Sequence, residues 1–172
     1  MKRRTLLMTP LALLPHWALA DSPKVQSLDQ ALAWLDGLEK AGSAKTTGAW
    51  PLGAVLDHLA QSIEMSLTGY PQPNSALFQH TAGAAAFAVF KWRGKMSHKL
   101  DEPIPGAAPL PMQGDWKPGA QRLRQAIQRF QAHNGALKPH FAYGALSKSD
   151  FAAAHSMHIA NHQDEVVVQL KA

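Results

Sequence analysis

The sequence of 172 residues contains no cysteine. The protein therefore forms no disulfide bond, even in an oxidising compartment. It also lacks a thiol nucleophile, a lipid-anchored cysteine and a cysteine-based zinc site. Any bound metal ion must consequently be held by histidine, aspartate or glutamate.

The chain also lacks the motifs of several common enzyme classes. It has no glycine-rich phosphate loop, no Gly-x-Ser-x-Gly nucleophile elbow and no dinucleotide-binding fingerprint. A strong charge is missing as well. The net charge is +5, and Lys2, Arg3 and Arg4 supply three of these charges, which leaves +2 for the rest of the chain. This balance argues against nucleic acid or an anionic membrane as the main partner.

The first twenty residues have the pattern of an export signal peptide that is cut after Ala20. A basic start, Lys2–Arg4, precedes a short apolar core ending at Leu14, and Ala18-Leu19-Ala20 provides small residues for cleavage. Arg3-Arg4 also resembles a twin-arginine signal, and an ordinary secretory signal fits the same residues. We expect a periplasmic or secreted protein without a membrane segment after cleavage; an uncleaved anchor is the alternative.

Residues 21–172 predict a single all-α domain with four or five helices in one bundle. Apolar residues recur at helical spacing between residues that start and stop helices, with cap signals beginning at Ser27 and at Ser147. The four clearest helices run from Ser27 to Gly42, from Pro51 to Gly69, from Pro118 to Asn134 and from Asp150 to Leu170. Val166-Val167-Val168 is interpreted as the end of the last helix, and no strand is expected.

Two further stretches complete the predicted domain. The apolar residues 75–93 predict a buried helix, interrupted by Gly83. A Pro/Gly-rich connection then runs from Gly94 to Pro118, longer than compact domains usually contain without a purpose. We favour a crossover between two helices on the same side of the bundle; a lid over a cavity is the alternative. Three tryptophans are expected in the core: Trp34, Trp50 and Trp92.

The strongest functional signal is His158-x-x-x-His162 in the last helix. Residues four apart leave the same helix face, so that both imidazoles can reach one metal ion. His58 lies between Val55 and Leu59 on an apolar helix face and is expected to point into the bundle. Three imidazoles with positions left for water are typical of a catalytic metal site. Ordinary buried or solvated histidines are the alternative.

Two further residues share the face of the ligand pair. His155 and Glu165 continue this face in the predicted helix and are the candidate catalytic proton carriers. For His155 the alternatives are a fourth ligand, a place behind the ligands or the surface, and for Glu165 a solvated acid. The remaining histidines of the mature chain show no helical partner spacing and are interpreted as bystanders: His80, His98, His133 and His140. His98 could also cover the mouth of the site.

Two sequence blocks resemble the DinB-like (YfiT-like) superfamily of bacterial four-helix metal-binding proteins, in a branch of unknown function. The first block is residues 50–64 followed by Thr68-Gly69-Tyr70-Pro71, and the second is residues 138–151 followed by the histidine pair. Two residues depart from the branch: Asn161 stands where a histidine is common, and Phe151 where a tryptophan is common.

This resemblance implies that His58, His158 and His162 hold a divalent metal ion, namely nickel, zinc, iron or manganese. It also implies a metal-dependent hydrolase or a thiol-dependent transferase, because some relatives have these activities. A non-catalytic protein that binds a metal or a small ligand is the alternative, and a helical domain with a decayed site is a third. The substrate is unknown, and a homodimer through an apolar helix face is compatible with the sequence.

Overall fold

The computed structural model describes residues 18–19, 24–41 and 43–169. The predicted signal peptide, apart from Ala18–Leu19, and the predicted helix end at Gly42 lie outside these residues. Most of the described chain is helical, with α1 Leu28–Lys40, α2 Leu52–Thr68, α3 Ala76–Phe78, a π-helical turn Gln79–Gly83, α4 Ala84–Arg93, α5 Lys117–Ala132 and α6 Lys148–Gln163. A small antiparallel sheet contains β1 Ala18–Leu19, β2 Ser43–Thr46 and β3 Val166–Gln169, in the order β1-β3-β2. In this described part, no helix is both long and apolar enough to cross a membrane.

Helices α1, α2, α5 and α6 form a bundle around a shared apolar core, as the periodicity predicts. Helix α2 packs most extensively against α5, α6 packs against α1 and α2, and α1 also contacts α5. The backbones of α2 and α5 approach closely, since a Cβ atom at Gly119 would lie 2.8 Å from the carbonyl oxygen of Gly53. The largest fully buried side chains of the core include Leu35, Leu56, Leu59, Leu123, Ile127, Phe130 and Phe151.

The predicted helix starts are confirmed by their caps. The hydroxyl of Ser27 accepts a hydrogen bond from the backbone N–H of Gln30, and the hydroxyl of Ser147 accepts one from Asp150. Each bond satisfies a backbone donor that the first helical turn leaves free. At the other end of α2, Gly69 adopts a φ of 110°, which favours glycine and ends the helix as predicted.

The prediction of a helix through Val166–Val168 is wrong. Helix α6 ends at Gln163, and the three valines belong to β3, which pairs with β2 in the register Ala44↔Val168. β-Branched side chains favour a strand when a partner strand is present. Because β2 lies more than 100 residues earlier in the chain, local periodicity gave no sign of it. Ala18 also pairs with Val168, so that cleavage after Ala20 would remove this strand.

The predicted helix over residues 75–93 is present, but the prediction that it is buried is wrong. The segment is α3, the π-helical turn and α4, and its large apolar side chains are mostly exposed, with Trp92 85% exposed. Phe87 is buried in an apolar cluster with Met96 and Met157, and the partly buried Phe90 packs against this cluster. The expectation of a buried Trp92 is therefore wrong, whereas Trp34 is buried as expected. Pairing of two copies through an apolar helix face stays a prediction.

Candidate metal centre

Three histidines from two helices meet inside the bundle. His58 comes from α2, and His158 and His162 come from α6; one ring nitrogen of each lies within 4.8 Å of the others. The ring centroids are 5.0 to 5.3 Å apart. All three side chains are buried. The structure thus brings together the three ligands expected from the sequence.

Helix geometry explains this meeting. His58 shares the inward face of α2 with Val55, Leu59 and Ser62, all of which are buried. Burial of that face against the rest of the bundle leaves the imidazole no other direction. His158 and His162 are one turn apart and therefore stack along α6 on the side that contacts α2.

The hydrogen bonds leave ring nitrogens free for a ligand. His162 Nδ1 lies 2.7 Å from Glu165 Oε1, so this nitrogen donates to the carboxylate, and in a neutral imidazole Nε2 then has the lone pair. His158 Nδ1 lies 3.3 Å from Ser62 Oγ. His58 Nε2 and His158 Nε2 are 3.1 Å apart. Among the described residues, His58 Nδ1 and His162 Nε2 are buried without a hydrogen-bond partner.

Burial keeps two of these imidazoles neutral. It lowers the pKa of His58 from 6.5 to about 3, with the nearby His162 and His98 acting in the same direction. Burial lowers the pKa of His158 well below 6.5, and the surrounding histidines add to this effect. Neutral imidazole is the form that ligates metal ions. Both rings are therefore ready to bind without first losing a proton.

The turn after α6 places Glu165 behind His162. The carbonyl oxygen of Glu165 accepts a hydrogen bond of 2.7 Å from the backbone N–H of Thr47, next to β2. The carboxylate is closely enclosed, since a Cβ atom at Gly48 would lie 2.0 Å from Glu165 Oε2. The side chain of Glu165 is almost fully buried, so the alternative of a solvated acid is wrong. Glu165 contacts the ring of His162 because the chain leaves the helix after Gln163. The sequence pattern instead predicts that Glu165 lies on the same face of a continuing helix.

A cavity of about 190 Å³ opens beside His58 and His158. Its wall is largely apolar, with Pro103, Ile104 and Phe141 among the lining residues. An apolar cavity of about 150 Å³ already admits a molecule the size of benzene. The space is therefore sufficient for a small organic molecule next to the histidines.

Two other histidines form part of the cavity wall. His155 is buried, which excludes the surface alternative; its ring stacks against Phe151, and its Nε2 has no hydrogen-bond partner within the described residues. His140 Nδ1 accepts from the backbone N–H groups of Ala142 and Tyr143, so the proton of the neutral ring is on Nε2. Burial lowers the pKa of each to about 3. His140 is therefore not a bystander.

His98 also lies at the site, contrary to the bystander interpretation. It belongs to the connecting segment, residues 94–116, which supplies part of the cavity wall. The centroid of its ring is 4.8 Å from that of His158 and 5.6 Å from that of His162. His80 and His133 do not line this cavity. Sequence spacing could not identify His98 or His140, since both lie outside regular helices.

A family model described as "Protein of unknown function (DUF1569)" matches residues 18–169 of the chain. The chain belongs to this family. The matched residues of DUF1569 include the three clustered histidines, Glu165 and the whole connecting segment. No curated protein and no solved structure matches the chain. Because the function of DUF1569 is unknown, the chemistry of the chain must be argued from its side chains.

Proposed function

We propose that this protein binds one divalent metal ion through His58, His158 and His162 and is a metal-dependent enzyme for a small molecule. Hydrolysis and thiol-dependent transfer are the two reaction classes that we propose. The buried three-histidine cluster beside a cavity is the observation that carries the proposal.

The donor set fits a divalent ion. Within the cluster, two buried ring nitrogens lack partners, His58 Nδ1 and His162 Nε2, and each would cost about 1–3 kcal/mol if nothing satisfied it. A metal ion would do so for a nitrogen that faces the cluster. The pair formed by Glu165 and His162 is the carboxylate–histidine arrangement that orients metal ligands and increases their basicity. Three imidazoles suit zinc, iron or nickel.

The cavity favours an enzyme over a metal store. A catalytic site needs a largely apolar pocket with a few converging polar groups beside the reactive centre. Ser62, His140 and His155 are such groups on the wall of this cavity. A divalent ion held at the cluster supplies a Lewis acid that generates a nucleophile from water or a thiol at neutral pH.

The two candidate proton carriers receive different roles in this proposal. Glu165 is enclosed behind His162, away from the cavity lining, and acts as a positioning residue for that ligand. His155 lines the cavity and, with its pKa lowered to about 3 by burial, stays neutral at physiological pH. It serves there as a hydrogen-bonding group for a bound molecule.

The first experiment is metal analysis by mass spectrometry on protein purified without a histidine tag. We expect near-stoichiometric metal in the native protein and loss of metal in His58→Ala and His162→Ala. His80→Ala is the matched control, because His80 is exposed and lies outside the cluster. A native protein without metal, and without thermal stabilisation by added nickel, zinc, iron or manganese, would refute the proposal.

Turnover is tested on the same set of proteins. The metal-loaded native protein should hydrolyse small esters or amides, or transfer a thiol to an electrophile, faster than the two alanine variants. If metal binds at full occupancy and none of these reactions is accelerated, a non-catalytic metal-binding role replaces the enzyme.

Two broader expectations belong to the same proposal. The contacts of α1, α2, α5 and α6 form a closed cycle, which supports the four-helix arrangement of the DinB-like superfamily.

Export to the periplasm is supported by the pattern of residues 1–20. A mature N-terminus at Asp21 would support export; unchanged export after Arg3 and Arg4 both become Lys would exclude the twin-arginine route.

A further inference from the structure

The ring of His98 has the same spacing to the cluster as the cluster histidines have to one another. Its centroid lies 4.8 Å from His158 and 5.6 Å from His162, compared with 5.0 to 5.3 Å within the cluster. His98 is also close to His58, because its charge contributes to lowering the pKa of His58. Four imidazoles from three chain segments therefore surround one region.

The hydrogen bond of His98 leaves a metal-binding nitrogen free. Nδ1 lies 2.7 Å from the carbonyl oxygen of Lys99. Since a carbonyl only accepts, Nδ1 carries the proton and Nε2 keeps its lone pair. In the described residues, Nε2 has no hydrogen-bond partner. Metal-ligating histidines commonly have this arrangement, with one nitrogen donating to a backbone carbonyl and the other free for the ion.

The connecting segment is held across the site on both sides of His98. Asn161, next to the ligand His162, donates from Nδ2 to the carbonyl oxygen of His98 at 3.3 Å. Further along, Gln61 donates from Nε2 to the carbonyl oxygen of Ala108 at 2.9 Å. Met96, two residues before His98, and Ile104, between the two bonds, are both buried and anchor the segment. His98 itself is exposed, so its side chain has room to turn.

We propose that His98 is a fourth, exchangeable metal ligand, through which the connecting segment closes and opens the metal centre. This inference rests on the proposed function. His98 lies outside the group of ring nitrogens within 4.8 Å of one another, so its side chain turns inward to bind. With His98 bound, four imidazoles form a closed site; its release leaves the open position that a catalytic site requires.

The test uses Co²⁺, whose visible absorption reports its ligands, on the metal-free full-length protein. The native protein, His98→Ala and Lys95→Ala are compared; Lys95→Ala changes the same segment without removing an imidazole. We expect His98→Ala to shift the Co²⁺ spectrum and to weaken Co²⁺ binding by about tenfold or more, a loss in the range seen for residues that support metal ligands. Added imidazole should restore the native spectrum in His98→Ala, and Lys95→Ala should match the native protein.

The outcomes separate this inference from the proposed function. If the native protein binds Co²⁺ but His98→Ala gives the same spectrum and affinity, the fourth ligand is refuted and the three-histidine site stands. If the native protein binds no Co²⁺, both proposals fail. Asn161→Ala keeps the imidazole but removes its anchor; it should weaken Co²⁺ binding while giving the native spectrum at saturation. An unchanged affinity in Asn161→Ala would show that the segment does not control access.

Discussion

At the scale of single residues, the environment of each histidine decides its role. His158 is buried in the cluster with its ring neutral, whereas His80 lies exposed on a helical turn. His140 is neutral because of burial alone, and its Nδ1 is used by two backbone N–H groups. The same side chain therefore serves as a candidate ligand, a cavity wall or a surface group, according to which of its nitrogens is left free.

The carboxylate of Glu165 should control the affinity of the site. In Glu165→Gln the shape is kept, but the negative charge that orients His162 is lost. We expect metal binding to weaken by about 10–100-fold, the usual effect of removing an outer-shell partner. A competition titration with a metal-sensitive dye measures this change. Asp164→Asn is the control, since Asp164 is exposed and bonded to Lys24; equal affinities in both variants would contradict the assigned role.

Gly48 should be intolerant of any side chain. Its Cβ atom in Gly48→Ala would lie 2.0 Å from Glu165 Oε2 and must displace the carboxylate. We expect the same weakening of metal binding as in Glu165→Gln, measured by the same titration. Gly37→Ala is the contrast, because within the described structure no atom lies within 4 Å of its Cβ position. This change in the interior of α1 should stabilise the fold by about 0.5–1 kcal/mol.

At the scale of helices and strands, two contacts determine the site. The close approach of α2 to α5 sets the position of His58, and the turn between α6 and β3 sets the position of Glu165. The N-terminal starts of α1 and α6 were predictable because a capping serine, Ser27 or Ser147, precedes each helix. The change from helix to strand after Gln163 was not predictable, because it depends on pairing with the distant β2.

The contact between α2 and α5 should be sensitive to a single methyl group. In Gly119→Ala the new Cβ atom would lie 2.8 Å from the carbonyl oxygen of Gly53 and 3.2 Å from Leu56 Cβ. Overpacking of this kind costs about 1–3 kcal/mol, and the helix propensity of alanine offsets at most about 1 kcal/mol. Urea unfolding followed by circular dichroism should show the loss. Gln121→Ala, on the exposed face of α5, should leave the unfolding midpoint nearly unchanged.

At the scale of the whole molecule, the centre lies where the bundle meets the connecting segment. The bundle supplies the three clustered histidines, and the segment supplies His98 and part of the cavity wall. A rigid set of helices with a long segment across the opening is a common basis for access control in enzymes. The exposed apolar side chains of α3 and α4 lie outside this centre.

Buried neutral histidines should make the metal-free protein sensitive to acid. His140 and His155 have a pKa of about 3 in the folded state, below the ordinary 6.5 of an unfolded chain. Between these values the unfolded state binds more protons, so stability falls as the pH decreases from 6.5 towards 3 and is fully present above 6.5. In this range, each such histidine lowers the free energy of unfolding by up to about 1.4 kcal/mol for each pH unit of acidification.

Urea unfolding of the metal-free protein between pH 7 and pH 4.5 tests this dependence. His155→Leu replaces the buried ring by an apolar side chain, and its stability should fall less steeply with acid. His80→Ala should keep the native slope, because His80 is exposed. An equally steep fall in His155→Leu would show that His155 is not a source of the acid sensitivity.

The sequence by itself determined most of the helices and predicted that three histidines would meet. The spacing of His158 and His162 follows from the period of one helix, and the apolar neighbours of His58 determine which way it faces. Only the tertiary structure decided where Glu165, His98 and His140 lie relative to the cluster. Each depends on a segment far away in the chain: Glu165 on Thr47 and Gly48, His98 on Asn161, and His140 on the cavity that it lines. The spacing of apolar residues predicts one helix at a time. The contacts of Glu165, His98 and His140 involve turns and the connecting segment, which have no regular spacing, and they form only when the helices pack together.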